Sequence, residues 1–544
     1  MSIHLSASEI AQAQSRFRAL YGADAVAALR APARINILGE HVDYVSYLPT
    51  ASLPFGSREH AMCLWWRATD DGCVSGASLD ERFAPFRCAL AEEGFAGQNW
   101  ESFVFGRPLP APHWRNYVNG AVQFARWKYG AQLTRGLQFL LTSTIPPNSG
   151  ASSSSALVVL AGAAIRQANG ISYELAELAA DSAQAEWYLG TRGGALDHTG
   201  ICLARAGHAV HISHTDKQAT LVPLPGESFR WLTFFSHPAD KGRAVMLAYN
   251  ERAAVARLLI PAVLAPGAAL EAAVEALPES LSLADIAQTH PAVFQECQRV
   301  FPALISERQT APLKLRDRAR HHVSETKRVA VAVQTLNQVI STTDALRTLG
   351  RLLNDAHASL RDLYDVSTPE VETLRDVICA DEHVFGARLM GGGFGGNVLA
   401  LNVPNTSLTR KPEDTNAFYR EVLRRIGELP GVQRVSLGTA VPWRDPGFFA
   451  AQFTVEGYNK ANGEEDPRAQ FRTVSPGFFE SLGVPIVAGA RSSAGEEPVD
   501  IRRCPKASWA ILSSARCAPS SPAPSAGRCS KPQRRKSAPI AASR

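Results

Sequence analysis

The chain lacks any Cys-x-x-Cys pair, and its nine cysteines are scattered. That is the pattern of free thiols, not of a zinc site or a disulfide framework. It also lacks a long apolar run. The longest one beside a helix, residues 156–165, falls far short of the roughly 20 residues a membrane span needs. The opening MSIHLSASEIAQAQSRF has no positive region followed by an apolar core, so a secretory signal is not expected and a cytoplasmic location is. Acidic residues are missing from the end: residues 501–544 hold ten Lys/Arg and no Asp or Glu. The net charge of +5 therefore arises in that tail, and the first 500 residues carry about −5. A basic nucleic-acid face on the main body does not follow from the charge.

What is present is the composition of an ordinary globular protein, 45% hydrophobic and 20% charged over 544 residues, enough for two or more cores. No internal repeat is visible, and nothing in the sequence calls for more than a monomer. Apolar spacing (Ile10, Phe17, Leu20) predicts a helix within residues 7–29, and residues 33–38 and 137–143 read as strands. Helices are expected over 153–167 and 173–189, then a strand at 229–237. Further helices are expected at 244–259, 319–338 and 343–364, before a glycine run and the apolar stretch 398–403. Strands and helices mixed with two glycine-rich turns point to an α+β fold.

Three stretches carry chemistry. Residues 146–156 form a loop of small residues opening a helix, where backbone amides of Gly150 and its neighbours and the hydroxyls of Ser152, Ser153 and Ser154 can meet phosphate. The loop is not a Walker A motif, because Gly-Lys-Ser/Thr is missing. Glu186 and Asp197 offer two carboxylates, one suited to a metal and one to a reacting hydroxyl, and the Gly193-Gly194 pair before Asp197 permits a sharp turn. Arg34 stands ready to stabilise charge on a transferred phosphoryl group. Glu40, His41 and Asp43 suit the hydrogen bonding of several sugar hydroxyls. Each stretch also has a plain reading as an N-cap, a solvated acid or a polar turn, and the glycine run reads equally as a flexible loop.

Their order changes the odds. Ala31-Pro32-Ala33-Arg34-Ile35-Asn36-Ile37-Leu38-Gly39-Glu40-His41-Val42-Asp43-Tyr44, the 146–156 loop, Gly193-Gly194-Ala195-Leu196-Asp197, and Gly386-Ala387-Arg388-Leu389-Met390-Gly391-Gly392-Gly393-Phe394-Gly395-Gly396 together resemble the signature motifs of the GHMP kinases, most closely galactokinases. Ala248-Tyr249-Asn250-Glu251-Arg252 and the segment from His357 to Tyr364 add to the likeness. The resemblance implies a two-domain fold, residues 1–224 and 225–403, with the active site between the domains, and an ATP-dependent sugar 1-kinase using Mg²⁺. By the same resemblance Asp197 and Arg34 are catalytic, and Glu40, His41, Asp43 and Tyr249 bind sugar. Gly150, Ser152, Ser153 and Ser154 bind ATP phosphate, and Ser154 and Glu186 hold the metal. Gly391, Gly392, Gly393 and Gly395 form an active-site loop. The alternatives are a kinase for N-acetylgalactosamine, arabinose or a uronic acid, or a sensor that binds sugar and ATP without turnover.

The pattern departs from that of galactokinases at several points. Asp-Tyr-Asn-Gly-Gly of the family stands here as Asp43-Tyr44-Val45-Ser46-Tyr47. Ala151 replaces a leucine, Ser155 an alanine, His198 a glutamine and Met390 a threonine, and Glu186 lies one residue nearer Asp197 than usual. The likeness is expected to end near Val403, leaving the apolar run 398–403 uncovered if a closing helix and strand are absent. Residues 404–497, with a strand expected at 432–437, resemble part of the extracytoplasmic core domain of macrolide-export-type ABC permeases, a partial α/β segment. Residues 498–544, rich in Ser, Pro and Arg, read as a disordered tail.

Overall fold

The computed structural model describes residues 7–482 apart from 92–93, 96, 225–228, 241, 339–342, 403–411, 430–431, 439–449, 453–467, 471–473 and 476. The expected tail lies outside the described residues, as does most of 439–473. The chain divides into two compact units, Met1–Arg410 and Lys411–Arg544. The expected bounds at 224/225 and 403/404 both fall within Met1–Arg410.

The first unit is built on a five-stranded sheet in the order Ala27–Asn36, Pro54–Thr69, Gly136–Ser143, Cys73–Ser78, Phe86–Ala89. All neighbours are antiparallel except Cys73–Ser78 and Gly136–Ser143, which are parallel. Alternation along Pro54–Thr69 sorts its side chains between two cores, as a period of two requires. Met62, Leu64 and Trp66 enter the main core, whereas Cys63 and Trp65 pack with Phe17 and Leu140. The helix Ala7–Tyr21 covers the latter side. Helices Arg115–Tyr129, Ser153–Ala168, Leu175–Glu186 and Leu196–Cys202 build the former.

The first helix stops short of the expected range, because Gly22 turns the chain at a φ of 69°. The following strand begins at Ala27, ahead of the expected Ala33, and changes register with its neighbour between Pro32 and Arg34. A bulge of this kind bends a strand and re-aims the side chains beside it. Arg34 is the side chain concerned.

A second, antiparallel sheet places Gly396–Asn402 between Val384–Met390 and Arg230–His237. Helices Thr343–Asp362 and Pro369–Cys379 pack against it, and Arg316–Asn337 packs on Thr343–Asp362. The apolar run expected to lie uncovered is an interior strand, so Val398, Leu399, Ala400 and Leu401 are fully buried. The helix expected over 244–259 is α-helical for Arg243–Ala254 and widens into a π-turn over Val255–Leu259.

Within the second unit the described residues form a helix, Pro412–Gly427, an antiparallel pair, Ala450–Gln452 with Arg468–Gln470, and a short helix, Phe478–Ser481. The strand expected at 432–437 does not form; pairing there is limited to a single bridge between Gly438 and Val474. Among the described residues, no helix is long and apolar enough to cross a membrane.

Candidate active site

Arg34 is 3% exposed, and so large a buried cation needs a partner. It finds Asp197, in the first turn of the Leu196–Cys202 helix: Nε donates to Oδ1 at 2.7 Å and Nη2 lies 2.5 Å from the same oxygen. Nη1 donates to the Gly150 carbonyl at 3.4 Å. The second Asp197 oxygen, Oδ2, accepts from Ser152 Oγ at 2.6 Å. Burial works against ionisation of Asp197, but Arg34 and the Ser152 hydroxyl outweigh it and hold the carboxyl below its usual range. Arg34, Asp197, Gly150 and Ser152, expected to share a phosphate, thus lie together.

Ser152 takes the left-handed conformation, φ 58°, unusual for a residue with a side chain. Its hydroxyl turns to Asp197 and makes no cap bond to the helix it precedes, Ser153–Ala168. The positive end of that helix therefore points at the site uncapped by the residue best placed to cap it. The loop is braced from behind by the glycine run. Gly150 (φ 77°) and Gly391 (φ 88°) touch through their backbones: a Cβ on Gly150 would lie 2.8 Å from the Met390 carbonyl oxygen, and one on Gly391 2.8 Å from the Gly150 carbonyl oxygen. Of the run, Gly391, Gly393 and Gly395 are buried and Gly392 is exposed.

Glu186 ends the Leu175–Glu186 helix, and its carboxylate accepts from Ser155 Oγ at 2.9 Å. The serine beside Glu186 is thus Ser155 and not the expected Ser154, which lies one helical step round. Ser155 Oγ also reaches to 3.5 Å from Asp197 Oδ2. His198 Nε2 sits 2.8 Å from Glu186 Oε2, though neither ring nitrogen of this buried histidine makes a hydrogen bond of normal geometry. Ser155 and His198 were both noted only as departures from the family pattern, and both turn out to face one carboxylate.

The polar cluster of the first motif surrounds the opposite side. Asp43 approaches the Gly193-Gly194 segment so closely that a Cβ on Gly194 would stand 2.2 Å from the Asp43 carbonyl oxygen. Gly194 serves this contact, and a Cβ on Gly193 would instead stand 3.1 Å from the Tyr249 hydroxyl; neither glycine has a positive φ. Asp43 Oδ2 accepts from the Leu196 N–H at 3.3 Å. Burial, with the charge of Asp197 nearby, pushes its carboxyl up to about 6. His41 shares a 2.8 Å hydrogen bond with Tyr44 through Nδ1, while Nε2 is buried with no partner among the described residues. The Tyr249 ring lies 5.7 Å from those of both His41 and Tyr44.

Glu40 is placed differently from the other expected sugar ligands. Its Oε1 accepts from Arg388 Nη2 at 2.6 Å and from the Gly391 N–H at 2.7 Å. Arg388 is completely buried and also lies 3.6 Å from Glu325 Oε1, which accepts from the Gly39 N–H at 2.7 Å. Glu325 is held down to about 2: burial opposes ionisation, and Arg328, His321 and Arg388 override it. Glu40 thus ties the first motif to the third. Arg388 lies within the third motif but carried no role of its own there, and Glu325 lies outside the motifs. A separate cavity of about 520 Å³, lined by Leu29, Val159, Tyr173 and Ile201 among others, contains none of these site residues.

Three stretches of the chain match family models. The galactokinase galactose-binding signature matches residues 15–51, the GHMP kinase N-terminal domain residues 116–205 and the GHMP kinase C-terminal domain residues 342–424. The last match passes the expected limit at Val403 and takes in most of the Pro412–Gly427 helix. The Streptomyces coelicolor galactokinase is 30% identical over 398 residues, 71% of this chain and 87% of that one. The human galactokinase is 29% identical over 72% of this chain and 88% of its own. The crystal structure of Lactococcus lactis galactokinase complexed with galactose superimposes with a TM-score of 0.57 at 23% identity, over 76% of this chain and 93% of that one.

Two outcomes are expected. Arg388→Met leaves Glu40 and Glu325 without their shared cation and should cost about 3–5 kcal/mol, read as a lower urea midpoint; a loss below about 1 kcal/mol would show that the pair holds little. Asp43 is protonated more readily in the folded chain than in the unfolded one, so its contribution is complete below pH about 4 and lost as the pH rises through about 6. Asp43→Asn should therefore stabilise the sugar-free protein by roughly 1–3 kcal/mol at pH 7.5, with the gain vanishing near pH 4. Equal effects at both pH values would contradict the shifted carboxyl.

Proposed function

The chain belongs to the galactokinase family, and from that membership we propose that it transfers the γ-phosphoryl group of ATP to a sugar hydroxyl, with galactose as the acceptor and C1 as the position. The observation that carries this reading is the meeting of Arg34, Asp197 and Ser152 at the start of the Ser153–Ala168 helix, beside the His41–Asp43 cluster. An anion cradle and a polyol site share one carboxylate there.

In this reading the helix start, with Gly150, Ser152, Ser153 and Ser154, receives the phosphates of ATP. Asp197 orients the sugar hydroxyl, and Arg34 neutralises charge on the group in flight. The bond from the γ-phosphorus to its bridging oxygen breaks as the bond to the sugar oxygen forms, and the hydroxyl proton passes to Asp197. A carboxylate held below its usual range is a weak base toward an alcohol, so the proton leaves as the new bond forms and not before. That fits a reaction limited by positioning and charge more than by base strength. His41, Asp43 and Tyr249 hold the sugar, and Glu40 shapes the site through Gly391.

The oxygen donors near Glu186 are hard ones, its own carboxylate and the Ser155 hydroxyl, with Asp197 Oδ2 beside them, and His198 Nε2 borders the same carboxylate. They suit Mg²⁺, which binds through one or two carboxylates and takes further ligands from phosphate and water. Glu186 and Ser155 would hold the ion, and it would supply charge neutralisation on the phosphates.

The test is ADP release by the purified full-length chain with MgATP, comparing galactose with N-acetylgalactosamine, arabinose, galacturonic acid and no sugar. Release with galactose above the sugar-free rate supports the reading; release only with another sugar reassigns the acceptor; sugar binding without release identifies a sensor. Asp197→Asn should lower kcat by orders of magnitude with galactose affinity roughly kept, and near-normal turnover would remove Asp197 from its role. Ser155→Ala should raise the Mg²⁺ concentration needed for half-maximal rate several-fold, whereas Ser154→Ala changes it less; the reverse order would return the metal contact to Ser154.

A further inference from the structure

The sugar-facing histidine is the end of a hydrogen-bonded chain of five side chains. Tyr47 Oη and His322 Nδ1 are 2.8 Å apart, His322 Nε2 and Tyr364 Oη 2.9 Å, Tyr364 Oη and Tyr44 Oη 3.3 Å, and Tyr44 Oη and His41 Nδ1 2.8 Å. Neighbouring His321 stands outside it, donating from Nε2 to the Glu40 carbonyl and accepting at Nδ1 from the Ser359 hydroxyl. Both histidines in the chain are neutral: burial and the adjacent cationic and imidazole groups push His41 and His322 well below their usual range. The three tyrosines stay protonated, since burial pushes each of them up.

Five neutral groups bring five protons to four links. With each interior tyrosine donating along the chain, the surplus proton appears at one end, on His41 Nε2 or on the outer side of Tyr47. The two states are related by reversing every bond. When all bonds run from Tyr47 toward His41, His41 carries its proton on Nε2 and Nδ1 accepts; when they run the other way, His41 Nδ1 donates and Nε2 is a bare acceptor.

Acidity decides between them. A phenol is a stronger acid than a neutral imidazole N–H, and an imidazole nitrogen is a better acceptor than a phenol oxygen. Tyrosine-to-histidine donation is therefore the favoured sense at each mixed link. The forward state has two favoured mixed links, Tyr47 to His322 and Tyr44 to His41, and one unfavoured. The reverse state has one favoured and two unfavoured. Without Tyr47 the count is one against one, so Tyr47 is the residue that breaks the tie.

We propose that Tyr47 is a positioning residue which, through His322, Tyr364 and Tyr44, holds His41 in the Nε2–H tautomer, so that the enzyme presents a donor and not an acceptor to a sugar hydroxyl oxygen. The link to sugar rests on the proposed function; the tautomer does not. Tyr47 stands where the family pattern has a small, flexible glycine, so the wiring belongs to this chain's own variant of the motif.

The experiment is a long-range ¹⁵N–¹H spectrum of the full chain labelled in histidine, with signals assigned from His41→Gln and His322→Gln. The wild-type protein should show the His41 proton on Nε2. In Tyr47→Phe the Nδ1–H form should rise to a comparable share, and KM for galactose should increase about 3–10-fold with kcat within about two-fold of the wild type. A wild-type His41 protonated on Nδ1, or an unchanged tautomer in Tyr47→Phe, overturns the proposal. A drop in stability with the tautomer unchanged gives Tyr47 a structural role only and overturns it too. Absence of sugar-dependent ADP release from the wild-type chain would instead count against the kinase reading, while the spectrum still decides the tautomer.

Discussion

The site depends on one ion pair, Arg34 with Asp197. A guanidinium buried on a sheet edge is intolerable without a counter-charge, and the carboxylate supplying it comes from a helix more than a hundred residues further along the chain. Satisfying it brings together the bulged strand, the Leu196–Cys202 helix and the loop whose Ser152 and Gly150 complete the shell. The pair also contributes to the protonation pattern. Burial, and after it the ionised Asp197 nearby, push the Asp43 carboxyl up to about 6. Two carboxyls with separated protonation are what a site needs when one must bear charge and the other must recognise hydroxyls.

A second buried ionic group does for the frame what the first does for the chemistry. Arg388 on a strand of the second sheet lies between Glu40 of the first motif and Glu325 of the Arg316–Asn337 helix. Glu40 and Glu325 in turn accept from the backbone N–H groups of Gly391 and Gly39. The glycine run is thereby pinned where Gly391 meets Gly150. Groups of this kind contribute more to specifying one arrangement than to net stability, which suits a site assembled from segments far apart in sequence.

The sequence was legible where chemistry depends on local spacing. The strand–turn–helix around Ser152 and Gly150, the helix that carries Glu186 near its end, the strand at 230–237 and the meeting of Arg34 with Asp197 all follow from motif order and apolar period. Long-range pairing was not legible. Nothing around Arg388 marks it as the partner of Glu40, because a buried arginine in a strand looks the same as an exposed one until its neighbours are known. Ser154 was favoured over Ser155 for the same reason: adjacent residues on a helix differ by about 100° in direction, and only the packing of Glu186 decides between them. The first helix was read too long because its apolar spacing continues past Gly22 into a strand.

The departures from the family pattern make sense as sets and not singly. Glu186 sits one residue nearer Asp197 than in most galactokinases. Two further departures, Ser155 and His198, are the side chains that meet its carboxylate. At the other end, Val45-Ser46-Tyr47 replaces two flexible glycines, and this segment is held rather than loose: Ser46 Oγ donates to the Arg257 carbonyl at 2.8 Å, and Tyr47 bonds to His322. Random loss of function would scatter substitutions without partners and leave buried polar groups unmet at a cost of about 1–3 kcal/mol each. Here Ser155, Ser46 and Tyr47 each find a hydrogen-bond partner around an intact Arg34–Asp197 pair, while the buried His198 ring makes none of normal geometry. In the proposed reading, residues around the reacting groups depart from the family pattern while Arg34 and Asp197 stay paired.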